Sequence, residues 1–332
     1  MDMKYDFVGI GDITTDAFIK LSDAHVIEGL NHASKELCVR FGEKVPFDSV
    51  TVVRAVGNAG NAAVSAHRLG VRSALHTYVG DDSNGADCIA ALKEEGLSTE
   101  YIGIQPGTPT NYHYVLQFGP ERTILVKQEK YNYVLPQFKE SPKWLYLTSL
   151  GEHALPFHDV VAEYIENHPE TKLAFQPGTF QIKMGASKLR RLYKATEVFF
   201  CNKEEAQQIL DTTQNDMREL LVGMKMFGPK IPVITDGPNG AYAFDGEKAW
   251  FVPMYPDPKP PVSRTGAGDA FASTVTTYLG LGFPLGEALL RGPINSMNVV
   301  QHVGAQKGLL TREKLEEYLR NAPTDYKLQQ IV

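Results

Sequence analysis

The residues best placed to do chemistry lie in Ser263-Arg-Thr-Gly-Ala-Gly-Asp-Ala-Phe271, a glycine-rich turn that opens directly into an apolar helical stretch. The first peptide N–H groups of a helix lack internal partners and sit at the positive end of its dipole. Glycines there let a phosphate approach the backbone closely. Asp269 falls in the first turn, beside that anion site. A carboxylate is a poor phosphate ligand, but it suits a general base that takes a proton from a hydroxyl attacking the phosphate. An Asp in the first turn also stabilises its own helix with no ligand at all. The residues alone leave both readings open.

Other nucleotide motifs fail. No GxxxxGK[ST] occurs, nor the DFG and HRD sequences of protein kinases. Gly9-Ile-Gly11-Asp-Ile-Thr14 begins like a dinucleotide turn, but Thr14 replaces the third glycine and Asp12 would face the pyrophosphate.

The elements that must hold these groups alternate. Strands are expected at Tyr5–Ile10, Ser73–Val79, Trp144–Leu147, Leu173–Gln176, Val198–Cys201 and Pro232–Thr235. Helices are expected at Ala59–Leu69, Asn84–Glu95, His158–Asn167, Ser187–Lys194, Lys203–Leu210 and Met217–Phe227, with a mainly helical end over 267–281, 285–302 and 311–320. This predicts an α/β fold, a central, mostly parallel sheet with helices on both faces. Two stretches break the rhythm. Thr110–Phe118 alternates, with Tyr112, Tyr114, Leu116 and Phe118 on one face and Asn111, His113 and Gln117 on the other. A turn at 119–122 leads to Thr123–Lys127. Leu37–Phe41 and Val50–Arg54 read as a second strand pair. Together they predict a small β-lid, its strands within 37–55 and 108–128 of a single domain over 1–332; edge strands of the main sheet are the plainer reading.

Composition narrows the function classes. The 332 residues are 43% hydrophobic and 22% charged, with a formal net charge of −6 and no long basic run. Neither nucleic acid nor a membrane is expected as a partner. Three isolated cysteines, Cys38, Cys88 and Cys201, have no metal spacing and fit a reducing compartment. With no basic, apolar leader pattern at the start, a cytoplasmic location is expected.

The motifs together resemble the ribokinase/PfkB family of carbohydrate kinases. Thr265–Phe271 is similar to its C-terminal signature. Val56-Gly-Asn-Ala-Gly-Asn-Ala-Ala-Val-Ser-Ala-His-Arg-Leu-Gly70 is similar to its N-terminal one. Gly11–Asp16, Asn202-Lys-Glu-Glu205, Thr235-Asp-Gly237 with Gly240-Ala241, and Gly304-Ala-Gln306 follow the family's order along the chain. The resemblance implies a ribokinase-like fold with a lid, and roles residue by residue. Asp269 would be the base, and Gly266, Ala267 and Gly268 the anion hole. Asp16, Gly57 and Asn61, joined by Asp12, would hold the acceptor's hydroxyls. Asn202 and Glu205 would organise Mg²⁺ and phosphates, Glu205 through water, although an Asn and a Glu also suit a plain helix start. Thr235, Gly237 and Gly240 would line the ATP side. Asn295 and Asn298 are either edges of the adenine pocket or structural.

The expected activity is ATP-dependent phosphoryl transfer to a hydroxymethyl group of a sugar. A nucleoside (adenosine-like) kinase and a non-catalytic sugar or nucleotide sensor are the alternatives. An ordinary Asp ionises near pH 3.9, so Asp269 is expected to be charged at neutral pH. Two departures from the family pattern stand out. Val56 replaces a glycine, and Ser263-Arg264 stands where an Asp often helps bind a monovalent cation, which leaves potassium activation open. A homodimer through the lid is a further expectation from the resemblance.

Overall fold

Short apolar runs between helical segments suit strands covered on both faces. The computed structural model of the chain describes residues 5–28, 35–119 and 121–331. Among them ten strands form the main sheet. Their order is Gln329–Ile331, Ala249–Val252, Ala241–Phe244, Ile231–Thr235, Val198–Asn202, Lys172–Phe175, Trp144–Leu147, Phe7–Ile10, Ser73–Gly80 and Ile102–Gln105. From Ile231–Thr235 to Ile102–Gln105 every neighbouring pair is parallel; the first three strands add an antiparallel edge. The expected mostly parallel sheet is therefore present.

Alternation along one central strand shows the layers. Trp144 and Tyr146 enter a core with Phe271, Val275 and Tyr278 of the helix Ala267–Gly280. Leu145 and Leu147 enter the opposite core with Phe157 and Val161 of the helix Leu155–Asn167. Fully burying each such Leu or Phe is worth about 1.5–3 kcal/mol, so the sheet is held by both layers. Because the strands run parallel, Ile10, Leu147, Phe175, Asn202 and Thr235 end on one edge. That edge is where open α/β sheets place their ligands.

A second sheet has the order Phe47–Val56, Thr14–Leu21, Tyr112–Phe118, Glu121–Leu125. Its hairpin sets Phe118 opposite Glu121; Pro120 of the expected turn lies outside the described residues. The pairing expected between Leu37–Phe41 and Val50–Arg54 is corrected. Lys35–Cys38 pairs with His25–Glu28, and Phe47–Val56 pairs with Thr14–Leu21, a strand the sequence reading did not anticipate. Thr14–Leu21 shows no clean alternation because its first half is buried on both faces while Lys20 is exposed. No helix among the described residues is long and apolar enough to cross a membrane.

Candidate active site

Two close backbone approaches join the chain's distant motifs. Gly57, with φ 108°, precedes the helix Asn58–Arg68, and a Cβ there would lie 2.9 Å from the Asp12 carbonyl oxygen. Gly266, with φ 83°, precedes the helix Ala267–Gly280, and a Cβ there would lie 2.4 Å from the Ala305 Cβ. Both positions demand glycine. The Gly304-Ala-Gln306 segment thus closes over the turn that opens the Ala267–Gly280 helix. Val56 is buried, opposite Thr14 in the second sheet.

Asp269 is buried where these elements meet. Asn61 Nδ2 donates to its Oδ2 at 2.8 Å, and Gln176 Nε2 donates to its Oδ1 at 3.1 Å. Gln306 Nε2 in turn donates to Asn61 Oδ1 at 3.1 Å and to the Ala55 carbonyl at 2.9 Å. The expectation of an unperturbed carboxyl is corrected: burial raises its pKa, opposed by hydrogen bonds from Asn61, Gln176 and Asn58. The amide donors favour the charged form that a base needs. Gly266 has no side chain to cap its helix, which leaves the first N–H groups to a ligand.

On the second-sheet side, Asp16 and His113 are register partners on neighbouring parallel strands, His113 Nδ1 lying 3.4 Å from Asp16 Oδ1. Among the described residues His113 Nε2 is buried without a protein partner, as is Asp16 Oδ1 apart from that contact. Asp12 is ringed by donors: the Tyr133 hydroxyl at 2.8 Å, the Gly151 N–H at 3.0 Å and Gln128 Nε2. Burial pushes its carboxyl up to about 7. The Tyr133 ring stacks on His153, centroids 5.2 Å apart. Within Tyr112–Phe118 the inward face is that of His113 and Val115: Val115 is buried at 1% exposure while Tyr114 is 48% exposed.

Asn202 and Thr235 are register partners at the ends of neighbouring strands. Asn202 Oδ1 accepts from the Glu205 N–H and Glu205 Oε2 accepts from the Asn202 N–H, both at 2.8 Å, a reciprocal cap on the helix Lys203–Leu210. Burial raises the Glu205 pKa, and the Asp269 charge raises it further. The two carboxylates therefore share one electrostatic neighbourhood. A cavity of about 360 Å³ is lined by Thr235, Gly237, Gly240, Ala267 and Gly268, with Arg264 on its wall. Arg264 thus stands on this side. Asn295 does not line the cavity: it bonds Ser65, Thr274 and the Leu310 N–H. Asn298 donates to the Gly308 carbonyl, and Ser296, Met297 and Val300 form the wall instead.

Sequence reasoning missed Gln176, Tyr133 and Gln128 as site residues. None carries a local motif: Gln176 directly follows the strand Lys172–Phe175, and Gln128 and Tyr133 lie in the segment between the strands Glu121–Leu125 and Trp144–Leu147. Among the described residues no three His, Cys, Asp or Glu side chains gather as a metal-ligand set.

The arrangement pairs a buried carboxylate with uncapped helix N–H groups and an adjoining cavity. A family model described as pfkB family carbohydrate kinase matches residues 28–312. The chain belongs to this family, phosphotransferases that use an alcohol group as acceptor. Among its relatives, a ribokinase of Bacillus subtilis is 28% identical over 79% of this chain and 87% of its own length. Among solved structures, the ribokinase of Arabidopsis thaliana, complexed with ribose and ATP, superposes with a TM-score of 0.80 at 17% identity, over 96% of this chain and 99% of its own. A Burkholderia thailandensis nucleoside kinase in complex with inosine gives 0.75 at 17% identity, over 95% of this chain and 98% of its own.

Proposed function

We propose that the chain transfers the γ-phosphoryl group of ATP to a hydroxymethyl group of a neutral sugar, with Asp269 as general base. The observation that carries this reading is the buried Asp269 carboxyl, held on both oxygens by amide donors and set in the first turn of an uncapped helix. Asp269 would accept the hydroxyl proton while the N–H groups of the 266–269 turn stabilise charge on the transferring group. Proton removal need not be early, because such transfers are governed by positioning and charge stabilisation.

The acceptor side comprises Asp12, Asp16, Gly57 and Asn61, with His113 added. Thr235, Gly237 and Gly240 line the nucleotide side, with the apolar Met254, Met297 and Val300 offering a base-binding wall. Mg²⁺ keeps most of its waters and needs only one or two carboxylates besides phosphate, which fits Glu205, beside Asn202, acting through water. When bound, the metal ion would neutralise phosphate charge.

The lid arginines favour an uncharged acceptor. Arg40 is engaged by Asp23 and Glu43, and Arg54 by Asp87. A nucleoside acceptor is the second reading, favoured by the Tyr133–His153 stack beside Asp12, which would offer a ring face to a base. A pure sensor would have no use for a base carboxylate held by two amides. Incubation with ATP, Mg²⁺ and a pooled panel of free sugars and nucleosides tests the reading. A phosphorylated sugar is expected; a phosphorylated nucleoside selects the second reading, and binding without any product selects the sensor. The exposed apolar residues Phe47, Val50, Val52, Ile124 and Leu125 support pairing of two lids in a homodimer.

A further inference from the structure

Gln176 follows the strand Lys172–Phe175, and its backbone N–H is fixed by the Leu147 carbonyl at 3.0 Å. Its side chain joins two buried groups. Nε2 donates to Asp269 Oδ1 at 3.1 Å, and Oε1 accepts from the Tyr146 hydroxyl. Tyr146 is wholly buried in the neighbouring strand and stacks on Phe7 with centroids 5.3 Å apart. The Asp269 carboxylate, which only accepts, settles which way the amide points, and the Tyr146 O–H donates to the oxygen left on the other side. A flipped amide would set Oε1 against Asp269 Oδ1, acceptor against acceptor. It would also leave the buried hydroxyl without its acceptor. Asn61 holds the other oxygen of Asp269, but it comes from the helix assigned to the acceptor. Tyr146 belongs to the sheet, the rigid part of the site, and Gln176 is tied to its edge through the Leu147 carbonyl.

We propose that Gln176, locked by the Tyr146 hydroxyl, is a positioning residue that holds the Asp269 carboxylate in its working orientation and in its charged form. The proposal rests on Asp269 being the base. The ionisable groups whose charge couples to Asp269 are Tyr146, from its strand, and Glu205, from the Lys203–Leu210 helix; Asn58, Asn61 and Gln176 face it as neutral amides. Burial holds Tyr146 neutral well beyond neutral pH, so Glu205→Gln serves as the control for the remaining charge.

The test uses Gln176→Leu and Tyr146→Phe, the latter nearly isosteric. It has two readouts: the ¹³C titration of the Asp269 carboxyl, assigned by its loss in Asp269→Asn, and the pH profile of kcat with Mg²⁺, ATP and a free sugar turned over in the panel above. Gln176→Leu should lower kcat at neutral pH by about 10- to 100-fold, the scale of a misplaced reacting group, and leave both KM values within about twofold. The carboxyl titration and the acid limb of kcat should both move to higher pH. Tyr146→Phe should do the same to a smaller degree, which keeps the proposal testable should Gln176→Leu fail to fold. An unchanged carboxyl titration in both folded variants overturns the proposal. A shifted carboxyl titration with an unshifted kcat profile overturns the assignment of Asp269 as the base, and with it any catalytic purpose for Gln176.

Discussion

Asn61 Nδ2 lies 2.8 Å from Asp269 Oδ2, although 208 positions separate the two residues. The contact joins the two signatures that carry the family resemblance, one at the start of the Asn58–Arg68 helix and one at the start of Ala267–Gly280. Gln306, from the Gly304-Ala-Gln306 segment, extends it by holding Asn61. Under the proposed function, an acceptor bound by Asn61 would be held beside Asp269 by the same hydrogen-bond chain.

The acceptor should be neutral. A phosphate beside Asp16 would meet a carboxylate, and a like-charge pair at 4 Å costs about 4 kcal/mol at an effective dielectric of about 20; Asp12, its carboxyl pushed up to about 7, adds to this as it ionises. Fructose should show a higher kcat/KM than fructose 6-phosphate, and the same order should hold for other matched pairs. His113→Ala should raise the sugar KM about tenfold with little change in kcat, because it removes a binding group and no reacting one. Preference for the phosphorylated member of each pair would contradict this reading and direct attention to Arg122 of the lid hairpin.

Glu205→Gln should weaken the response to Mg²⁺ more than it weakens acceptor binding. The substitution removes a charge near the phosphate side and leaves Asp16 and His113 untouched. Titration of Mg²⁺ at saturating ATP should give a half-saturation point raised several-fold. An unchanged Mg²⁺ curve with a raised acceptor KM would place Glu205 on the wrong side of the site.

Asp12 should make stability depend on pH. Its carboxyl is pushed up to about 7 by burial, against about 3.9 in an unfolded chain. The folded state therefore holds its proton more tightly. The resulting stabilisation is complete below about pH 4 and is lost as pH rises through about 7. Asp12→Asn cannot titrate, so its Tm relative to wild type should improve from about pH 4 to about pH 7 and level off above it. Asp269 titrates in both proteins and cancels in the difference. A Tm difference that stays flat across this range would refute the raised Asp12 carboxyl.

The lid should mediate a dimer. Val50 and Ile124, on separate strands of the second sheet, are 51% and 41% exposed. Val50→Glu with Ile124→Glu should shift a dimer to monomer in sedimentation equilibrium while the far-ultraviolet spectrum stays unchanged. A wild-type monomer at micromolar concentration would dismiss the idea.

The parts of the site legible in the sequence were those with a local physical cause. Gly266 was legible in its glycine-rich turn, whereas Gly57 entered through the family resemblance; each sits at a helix start in a backbone conformation that only glycine adopts readily. Asn202 and Glu205 entered through the family resemblance, and the reciprocal cap they form is the plain helix start that their spacing also allows. The strands and helices of the body were legible from local causes, with ends displaced by a residue or a few. What escaped depends on which elements become neighbours. Thr14–Leu21 joins two sheet partners, and its burial follows them rather than its own alternation. The parity of Tyr112–Phe118 was legible, but alternation does not say which face meets the body, and Val115 with His113 took that place. Gln176 reaches Asp269 only through the register of two buried strands.

The most direct test of the central claim is the kcat of Asp269→Asn, measured with saturating ATP, Mg²⁺ and the best free sugar of the panel, beside the ATP Kd of the same protein. The substitution keeps the shape of the side chain and removes the proton acceptor. A general base contributes about 10²- to 10⁴-fold, so kcat should fall by that factor while the ATP Kd stays within about twofold of wild type. Retention of more than half the wild-type kcat would contradict the account.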